Sequence, residues 1–204
     1  GLFNNRLTGA FDYFIRYTKD MVVPAPQLPI TLGLNPPKVN NCDLQTRGWE
    51  VSVSWKDRLK NGLGYGISAS LSDQVTYIDS YPGNKSGSID SYMAGKKDGL
   101  IWGYETIGIA RSDEERHHGV APSTPLQGQS QLGSQWAAGD IMYKDINGDG
   151  IVGGGSRTWD DHGDLKILGD SYFHYFYGID LTADWKGFDF RCFLQGVLKK
   201  DFWP

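Results

Sequence analysis

The fold is decided by residues 177–197, which read YGIDLTADWKGFDFRCFLQGV. Apolar and polar residues alternate on both sides of the dipeptide Lys186-Gly187. The apolar positions are Tyr177, Ile179, Leu181, Ala183 and Trp185, followed by Phe188, Phe190, Cys192 and Leu194. Alternation puts successive side chains on opposite faces of a strand, and a two-residue connection with glycine is typical of a β-hairpin. The stretch therefore predicts two antiparallel strands, each with an apolar and a polar face.

The same alternation recurs in three earlier segments, residues 7–18, 49–56 and 63–77. The connections between the five segments are alternately long and short. A Pro-rich stretch follows the first segment and residues 79–171 follow the third, whereas Asn61-Gly62 supplies a tight turn after the second. Successive connections of an antiparallel sheet lie at opposite ends, so both long connections are expected at one end and both tight turns at the other.

Two fold classes explain this pattern. One is a soluble β-sandwich or barrel with long loops. The other is an all-β, antiparallel transmembrane β-barrel segment of about five long strands, with short periplasmic turns and long extracellular loops. The second is favoured by strand length, by strongly polar opposite faces and by aromatic residues near the strand ends. Those aromatic residues are Trp49, Trp55, Tyr65, Tyr77, Tyr177 and Trp185. Five strands cannot close a barrel, so the barrel is expected to be incomplete.

Composition excludes several classes of protein. The chain has 204 residues and a formal net charge of −4, so nothing indicates a nucleic-acid partner. No run of eighteen apolar residues predicts a transmembrane helix. The only cysteines, Cys42 and Cys192, form no zinc motif. We place Cys42 in an extracellular loop and Cys192 near the periplasmic hairpin, which is too far apart for a disulfide, so both are predicted to be free.

The sequence DINGDG at residues 145–150 resembles the first half of an EF-hand calcium loop. Asp145, Asn147 and Asp149 occupy ligand positions 1, 3 and 5, Gly150 lies where the loop turns sharply, and the carbonyl of Ile151 takes position 7. These residues are the candidate ligands of a calcium ion. Any such ion would have a structural role, because no helices are predicted around the loop.

The second half of the calcium loop is missing, since position 12 is Ser156 instead of glutamate. One of the acids that follow, Asp160, Asp161 or Asp164, could fold back as a replacement ligand. The alternative is a turn without metal, shaped by Asx hydrogen bonds and a left-handed glycine. The sequence leaves both possibilities open.

Aromatic residues in the long loop region are the candidate substrate contacts: Trp102, Tyr104, Trp136 and Tyr143. Their faces could stack on sugar rings, while ordinary loop packing is the alternative. No nucleophile elbow, phosphate-binding loop or dinucleotide fingerprint occurs, and GGGS at 153–156 is interpreted as a flexible linker. We therefore do not expect an enzyme.

Several stretches along the chain carry a family resemblance. The most specific are GDIMYKDINGDGIV at 139–152 and DDHGDLKILGDSYFHYFYGIDLTADWKGFDFRCFLQGVLKKD at 160–201, and FNNRLTGAFDYFIRYTKDM at 3–21 matches more loosely. Together they resemble the SusC/RagA-type TonB-dependent outer-membrane transporters. Such transporters close about 22 strands around a plug domain. The resemblance therefore implies a barrel-wall fragment without the plug.

The resemblance also implies a function. Residues 1–204 would be part of the β-barrel domain of a Gram-negative outer-membrane transporter, in contact with outer-membrane lipid, with residues 79–171 as a long extracellular loop region. It would import oligosaccharides or peptides with a SusD-like surface lipoprotein, energised by the TonB complex through an N-terminal part absent here. The alternative function is a soluble extracellular β module, stapled by calcium, that binds glycan.

Overall fold

The computed structural model describes residues 1–25, 33, 37–112, 129, 131–133 and 137–202, and the described part is all-β. Its strands are β1 (Leu7–Pro24), β2 (Lys38–Arg58), β3 (Gly64–Ser80), β4 (Leu100–Tyr104), β5 (Thr106–Ile109), β6 (Ile141–Tyr143), β7 (Leu165–Asp170), β8 (His174–Trp185) and β9 (Phe188–Lys199). Within these ranges, no helix is long and apolar enough to cross a membrane.

The main sheet has five antiparallel strands in the order β1-β2-β3-β8-β9. They contain the five alternating segments predicted from the sequence. The sheet is not closed, because β1 and β9 form its two edges. The hairpin turn between β8 and β9 consists of Lys186 and Gly187, which both have positive φ, at 48° and 86°. Two positive φ values match the right-handed twist of the flanking strands, as in a type I′ turn.

The registers place the predicted apolar residues of all five strands on one face. One row across the sheet contains Leu7, Trp55, Ile67, Leu181 and Cys192, and the next contains Gly9, Val53, Ala69, Ile179 and Leu194. Other parts of the chain do not cover this apolar face: Phe11 is 67% exposed and Val53 is 47% exposed. The opposite face carries hydroxyls such as Ser54 and Ser68, whose oxygens lie 2.8 Å apart.

The apolar face ends near Trp49, because the next β2 residue on that face is Arg47. The guanidinium of Arg47 lies over the ring of Tyr77, 5.5 Å from its centroid. The stretch from Trp49 to Asp57 is about as long as a tilted strand needs to cross a bilayer. The parts of β1, β2 and β3 beyond Trp49 therefore extend past the apolar band.

Two sequence predictions about β2 were wrong. The strand begins at Lys38, not near residue 49, because residues 38–48 pair with the end of β1 although their side chains do not alternate. Cys42 consequently lies in β2 and not in a loop. Its side chain is fully buried and packs with Val23 and Ile78 in a small core at this end of the sheet. Cys42 and Cys192 are both free thiols.

Residues 81–112 and 137–172, as far as the structure describes them, form what we call the cap. It lies at the end of the sheet where β3 finishes and β8 starts, and it contains two small antiparallel pairs, β4 with β7 and β5 with β6. The backbone of the cap also pairs with β3, since Asp98 N–H donates to the carbonyl of Thr76 at 2.9 Å. The predicted region between the third and fourth segments is thus a folded layer with its own strands.

Candidate ligand and ion sites in the cap

A cavity of about 570 Å³ lies between the end of β3 and the cap. Its aromatic lining consists of Tyr81, Tyr92, Trp102 and Trp159, and its charged lining includes Asp90, Lys96, Lys97, Asp98 and Arg157. A concave site with aromatic faces and a few placed polar groups suits a small organic ligand. Of the predicted contact residues, Trp102 therefore lines the cavity. The sequence analysis did not single out the other lining residues as candidate contacts.

Trp102 is held in place by two neighbouring rings. It meets Trp159 edge to face, with the ring centroids 5.2 Å apart, and His162 lies 5.3 Å away. Lys96 covers Trp159, with its Nζ 4.3 Å from the ring centroid. The aromatic cluster is thus pre-formed, and a cation already lies on one of its rings.

Arg157 and Asp90 form a bidentate ion pair at the cavity wall. The guanidinium Nε and an Nη of Arg157 donate to the two carboxylate oxygens of Asp90 at 2.8 and 2.6 Å. The hydrogen bond from Arg157 lowers the pKa of Asp90 below its ordinary value. Because both side chains are more than half exposed, they can also reach polar groups of a ligand.

Two of the other predicted contacts lie elsewhere. Tyr104 and Tyr143 pack against each other, with ring centroids 5.4 Å apart, and neither lines the cavity. Burial raises the pKa of Tyr104 above its ordinary value. Trp136 lies outside the described residues.

The start of the DINGDG loop is shaped by Asp145. Its Oδ1 accepts the N–H of Gly148 at 2.6 Å, and its Oδ2 accepts the N–H of Gly150 at 2.9 Å. Gly150 has a φ of +85°, which is the left-handed conformation that the sequence predicts for it. The sharp turn at this glycine is therefore present.

Asx hydrogen bonds organise the middle of the same loop. Asn147 Oδ1 accepts the N–H of Asp149 at 2.9 Å, and Asp149 Oδ1 accepts the N–H of Ile151 at 2.8 Å. The oxygens of the candidate calcium ligands are thus gathered in one turn. No group of three or more His, Cys, Asp or Glu side chains that could hold a metal occurs in the part of the chain that the structure describes. Calcium binding at Asp145, Asn147, Asp149 and Ile151 stays a prediction.

Asp164 is the acid that folds back onto this loop. Its Oδ1 accepts the N–H groups of Ile146 and Asn147 at 2.6 and 3.3 Å, and its Oδ2 accepts the N–H of Gly153 at 2.8 Å. The Asp164 side chain is fully buried. It therefore acts in this structure as a hydrogen-bond acceptor that joins both ends of the loop.

The interpretation of GGGS at 153–156 as a flexible linker was wrong. Gly153 is buried, and the backbone of the segment packs directly against Gly163, where a Cβ would collide with Gly153 and Gly155. Ser156 is bound as well, because its N–H donates to Asp161 at 3.0 Å. The glycines are needed here for close backbone approach, which an interpretation from composition alone overlooks.

A buried charge cluster joins the cap to the sheet and was also missed. His174 Nδ1 lies 2.7 Å from Asp73 Oδ1, His174 Nε2 lies 2.8 Å from Asp170 Oδ2, and Lys97 forms an ion pair with Asp170. Burial favours the neutral form of Asp170, but hydrogen bonds from Lys97, the N–H of Tyr172 and His174 outweigh it and lower its pKa. One signal was available, since Asp73 interrupts the apolar face of segment 63–77.

An open antiparallel sheet with an exposed apolar face, a polar face and a folded cap at one end defines a segment of a membrane β-barrel wall. No protein-family model matches the chain. Curated relatives do match it. From Formosa agariphila, TonB-dependent receptor P3 is 25% identical over 95% of the chain, and TonB-dependent receptor P26 is 23% identical over 96%. The chain spans 19% of the length of each of these relatives.

Solved structures share the fold. A structure of the RagAB peptide transporter matches 97% of the chain with a TM-score of 0.62 and 17% identity. A second, of the RagAB peptide importer in its closed-closed state, gives a TM-score of 0.59 and 18% identity. In each case the chain covers about one fifth of the solved chain. The chain is a homologue of TonB-dependent receptors, and the predicted fold class, an incomplete barrel wall, is confirmed.

Proposed function

We propose that this chain forms part of the wall and outer loops of an outer-membrane TonB-dependent transporter that imports an oligosaccharide or a peptide. The observation that carries the proposal is the sheet with one bare apolar face and one polar face, in a chain similar to TonB-dependent receptors along 95% of its length. Such a sheet separates lipid from a wet lumen.

The two faces have separate roles in this proposal. The apolar face, from the Val51 row to the Trp55 row, contacts outer-membrane lipid, and the hydroxyls of β2 and β3 face the lumen. The cap, together with the rest of residues 79–171, is the extracellular end. This orientation follows from the lengths of the connections, because barrels of this kind have short periplasmic turns and long extracellular loops.

The ligand is proposed to contact the cavity that Trp102 lines. Aromatic rings there offer stacking faces, while Arg157 and Asp90 offer charged hydrogen-bonding groups. Saccharide rings and peptides both use these chemistries. The TonB-dependent relatives support import as the broad role, and the solved protein that shares the fold is a peptide transporter.

Two partners belong to the proposal. A SusD-like surface lipoprotein would cover the extracellular end, and the TonB complex would supply energy through the N-terminal part of the longer receptor. The proposed process is transport without covalent chemistry, since the relatives are named as receptors and not as enzymes.

The soluble, calcium-stapled glycan-binding module is a weaker candidate. A soluble module would have to cover the apolar face, yet Phe11, Phe190 and Leu194 are each more than half exposed. An exposed apolar surface of this extent marks a contact with lipid or protein.

Growth of the source bacterium tests the proposal. The gene of the full-length receptor is deleted, and growth is compared on oligosaccharides and on peptides as sole nutrients. We expect growth to fail on one of these classes and to return with the intact gene, but not with a gene lacking the TonB-contacting segment. Unchanged growth and unchanged uptake of labelled ligands in the deletion strain would refute the transport function.

The cavity is tested in the same strain with Trp102→Ala. We expect uptake to fall several-fold while the amount of receptor in the outer membrane is unchanged, because a stacking surface is lost. Tyr143→Ala is the matched control, since Tyr143 is an aromatic cap residue outside the cavity. Equal uptake by wild type and Trp102→Ala would place the ligand elsewhere in the receptor.

A further inference from the structure

The cluster around His174 connects two layers of the molecule. Asp73 belongs to β3 of the main sheet, whereas Asp170 ends β7 in the cap and Lys97 lies in the cap segment before β4. His174 is the first residue of β8 and only 6% of its surface is exposed. The last β8 residue that pairs with β3 is Phe176, opposite Ser72, which in turn pairs with Glu50 of β2. His174 is two residues further along β8, so it lies one row beyond Trp49 and outside the apolar band.

Both ring nitrogens of His174 face carboxylate oxygens, at 2.7 and 2.8 Å. A neutral imidazole has one N–H, so its second nitrogen would present a lone pair to a carboxylate. Two carboxylate partners at hydrogen-bond distance are satisfied only when both nitrogens carry a proton. With both carboxyl groups ionised, the geometry therefore favours the imidazolium form of His174.

Among the four groups in direct contact, the charges balance only in that form. Asp73 and Asp170 carry two negative charges, and Lys97 with protonated His174 carries two positive charges. Other groups close to the cluster are Lys199, which is the β9 partner of His174, and Asp201, which accepts the N–H of Asp170 at 2.8 Å. Lys199 and Asp201 pair with each other at 3.7 Å.

The polar face contributes one more cation near the cluster. Arg16 of β1 lines a cavity of about 310 Å³ together with Lys97, Asp170, Tyr172 and His174. Its positive charge opposes protonation of His174, so the two direct carboxylates have to outweigh it.

The cluster holds the part of the cap that forms the ligand cavity. Lys97 lines that cavity beside Asp98 and Gly99. The same segment is tied to residues after β7, because Ser171 N–H donates to the carbonyl of Gly99 at 2.8 Å and Tyr172 Oη donates to Asp98 at 2.6 Å. If the link between Asp170 and Asp73 is lost, residues 170–173 lose their side-chain tie to β3, while residues 95–98 keep their backbone hydrogen bonds to Thr76 and Ile78.

We propose that Asp73, His174, Asp170 and Lys97 form a pH-sensitive latch that docks the cap on the barrel wall while His174 is protonated. Loss of that proton leaves a lone pair of His174 against one carboxylate, and among these four groups two negative charges then face one cation. The cap then loosens around Asp170 and Tyr172, and the contacts of these residues with Lys97 and Asp98 at the cavity weaken. The latch acts on the receptor itself and does not depend on which ligand is carried.

The direction of the pH effect follows from the surroundings of His174. Burial lowers the pKa of His174, but hydrogen bonds to Asp170 and Asp73 outweigh burial and raise it above its ordinary value. A raised pKa in the folded state stabilises at pH values below that of the unfolded group, about 6.5. This stabilisation is lost as the pH rises through the folded value. The latch is therefore closed at mildly acidic pH and opens as the pH rises above the ordinary range of histidine.

The test measures amide hydrogen exchange of the cap in the full-length receptor in detergent. The pH is varied from about 6 to about 9, a range that begins near the ordinary histidine pKa and extends above it. Protection factors are corrected for the intrinsic pH dependence of exchange. In the wild type we expect a several-fold loss of protection at residues 170–173 along one titration. In His174→Gln, which cannot carry the charge, protection there should be low at every pH and the titration should vanish.

Two further variants make the result decisive. His162→Gln removes a cap histidine outside the cluster and should keep the wild-type titration. Asp73→Asn keeps the size of the side chain but removes one carboxylate, so the titration should shift to lower pH. If His174→Gln does not fold, the Asp73→Asn shift decides. A flat wild-type profile, a titration retained in His174→Gln or an unshifted one in Asp73→Asn would each overturn the latch.

Discussion

At the scale of single residues, the carboxylate of Asp164 joins the two ends of the DINGDG loop. It is fully buried and accepts three backbone N–H groups, from Ile146, Asn147 and Gly153. A buried N–H such as that of Gly153 needs a partner within the protein, whereas Ile146 and Asn147 belong to exposed residues, whose N–H groups can turn to water. Asp164 therefore holds the loop through hydrogen bonds, whereas the glutamate of an EF-hand loop binds the ion directly.

Replacing Asp164 with alanine is therefore expected to open the loop. A buried N–H left unsatisfied costs about 1–3 kcal/mol, so the buried N–H of Gly153 should make the loss about 1–3 kcal/mol in local stability. Hydrogen exchange of residues 145–154 in the full-length receptor measures it directly. Asp160→Ala, at an exposed acid nearby, is the control and should leave protection unchanged. Equal protection in both variants would contradict this role of Asp164.

Calcium binding is the second prediction at this scale. Hard oxygen ligands spaced as in Asp145, Asn147 and Asp149 suit calcium, and an ion that binds only the folded state raises its stability by mass action. We expect the melting temperature of the full-length receptor to rise on calcium titration. Asp149→Ala should remove that rise and Asp160→Ala should keep it. A melting temperature that ignores millimolar calcium, or a rise retained in Asp149→Ala, would leave only the metal-free turn.

At the scale of elements, side chains of each wall strand point alternately to the apolar face and to the polar face. In β2, Val53 lies on the apolar face near the middle of the band, and its neighbour Ser52 lies on the polar face opposite Ser70. A register shift by one residue would exchange the two faces, so the pairing of β2 with β1 and β3 is strongly specified. The bulge near Met21 occurs beyond the band, where no such exchange is penalised.

This alternation predicts unequal effects of the same substitution at adjacent positions. Val53→Arg should cost about 2–4 kcal/mol, as expected for arginine near the bilayer midplane on the lipid face, and should reduce the amount of folded receptor in the outer membrane. Ser52→Arg adds the same side chain on the lumen face and should be tolerated. Fractionated membranes and the heat-dependent gel mobility of the barrel report the folded amount. Equal yields of the two variants would exclude the assigned faces.

At the scale of the whole molecule, the sheet is incomplete and its stability depends on more than this chain. β1 and β9 present unpaired backbone groups on their outer sides within the described residues, and such edges recruit further strands. The matched region is 19% of the length of the relatives. In a closed barrel, neighbouring strands would satisfy both edges and lipid would cover the apolar face. The sparse core around Val23, Cys42 and Ile78 is consistent with a wall stabilised mainly by its strand ladders.

The sequence was informative wherever local pattern decides structure. Alternation predicted the five wall segments and both faces, Lys186-Gly187 predicted the hairpin, and Gly150 predicted a left-handed turn. It failed for residues 38–48, whose pairing with β1 leaves no period-two pattern, and consequently for Cys42. It also failed for the glycines at 153–155, because composition does not distinguish a flexible segment from one that needs close backbone approach.

The sequence by itself determined the strands, their faces and the end of the sheet where the cap lies, because period-two alternation and turn residues act over a few neighbouring positions. The tertiary structure alone decided which distant side chains meet. Asp73 and His174 are separated by 101 positions, yet their side chains lie 2.7 Å apart, and the cavity joins Asp90 to Arg157. Such pairs form only when the cap folds onto β3. Packing and backbone pairing between distant residues determine that arrangement, and a local sequence pattern does not predict it.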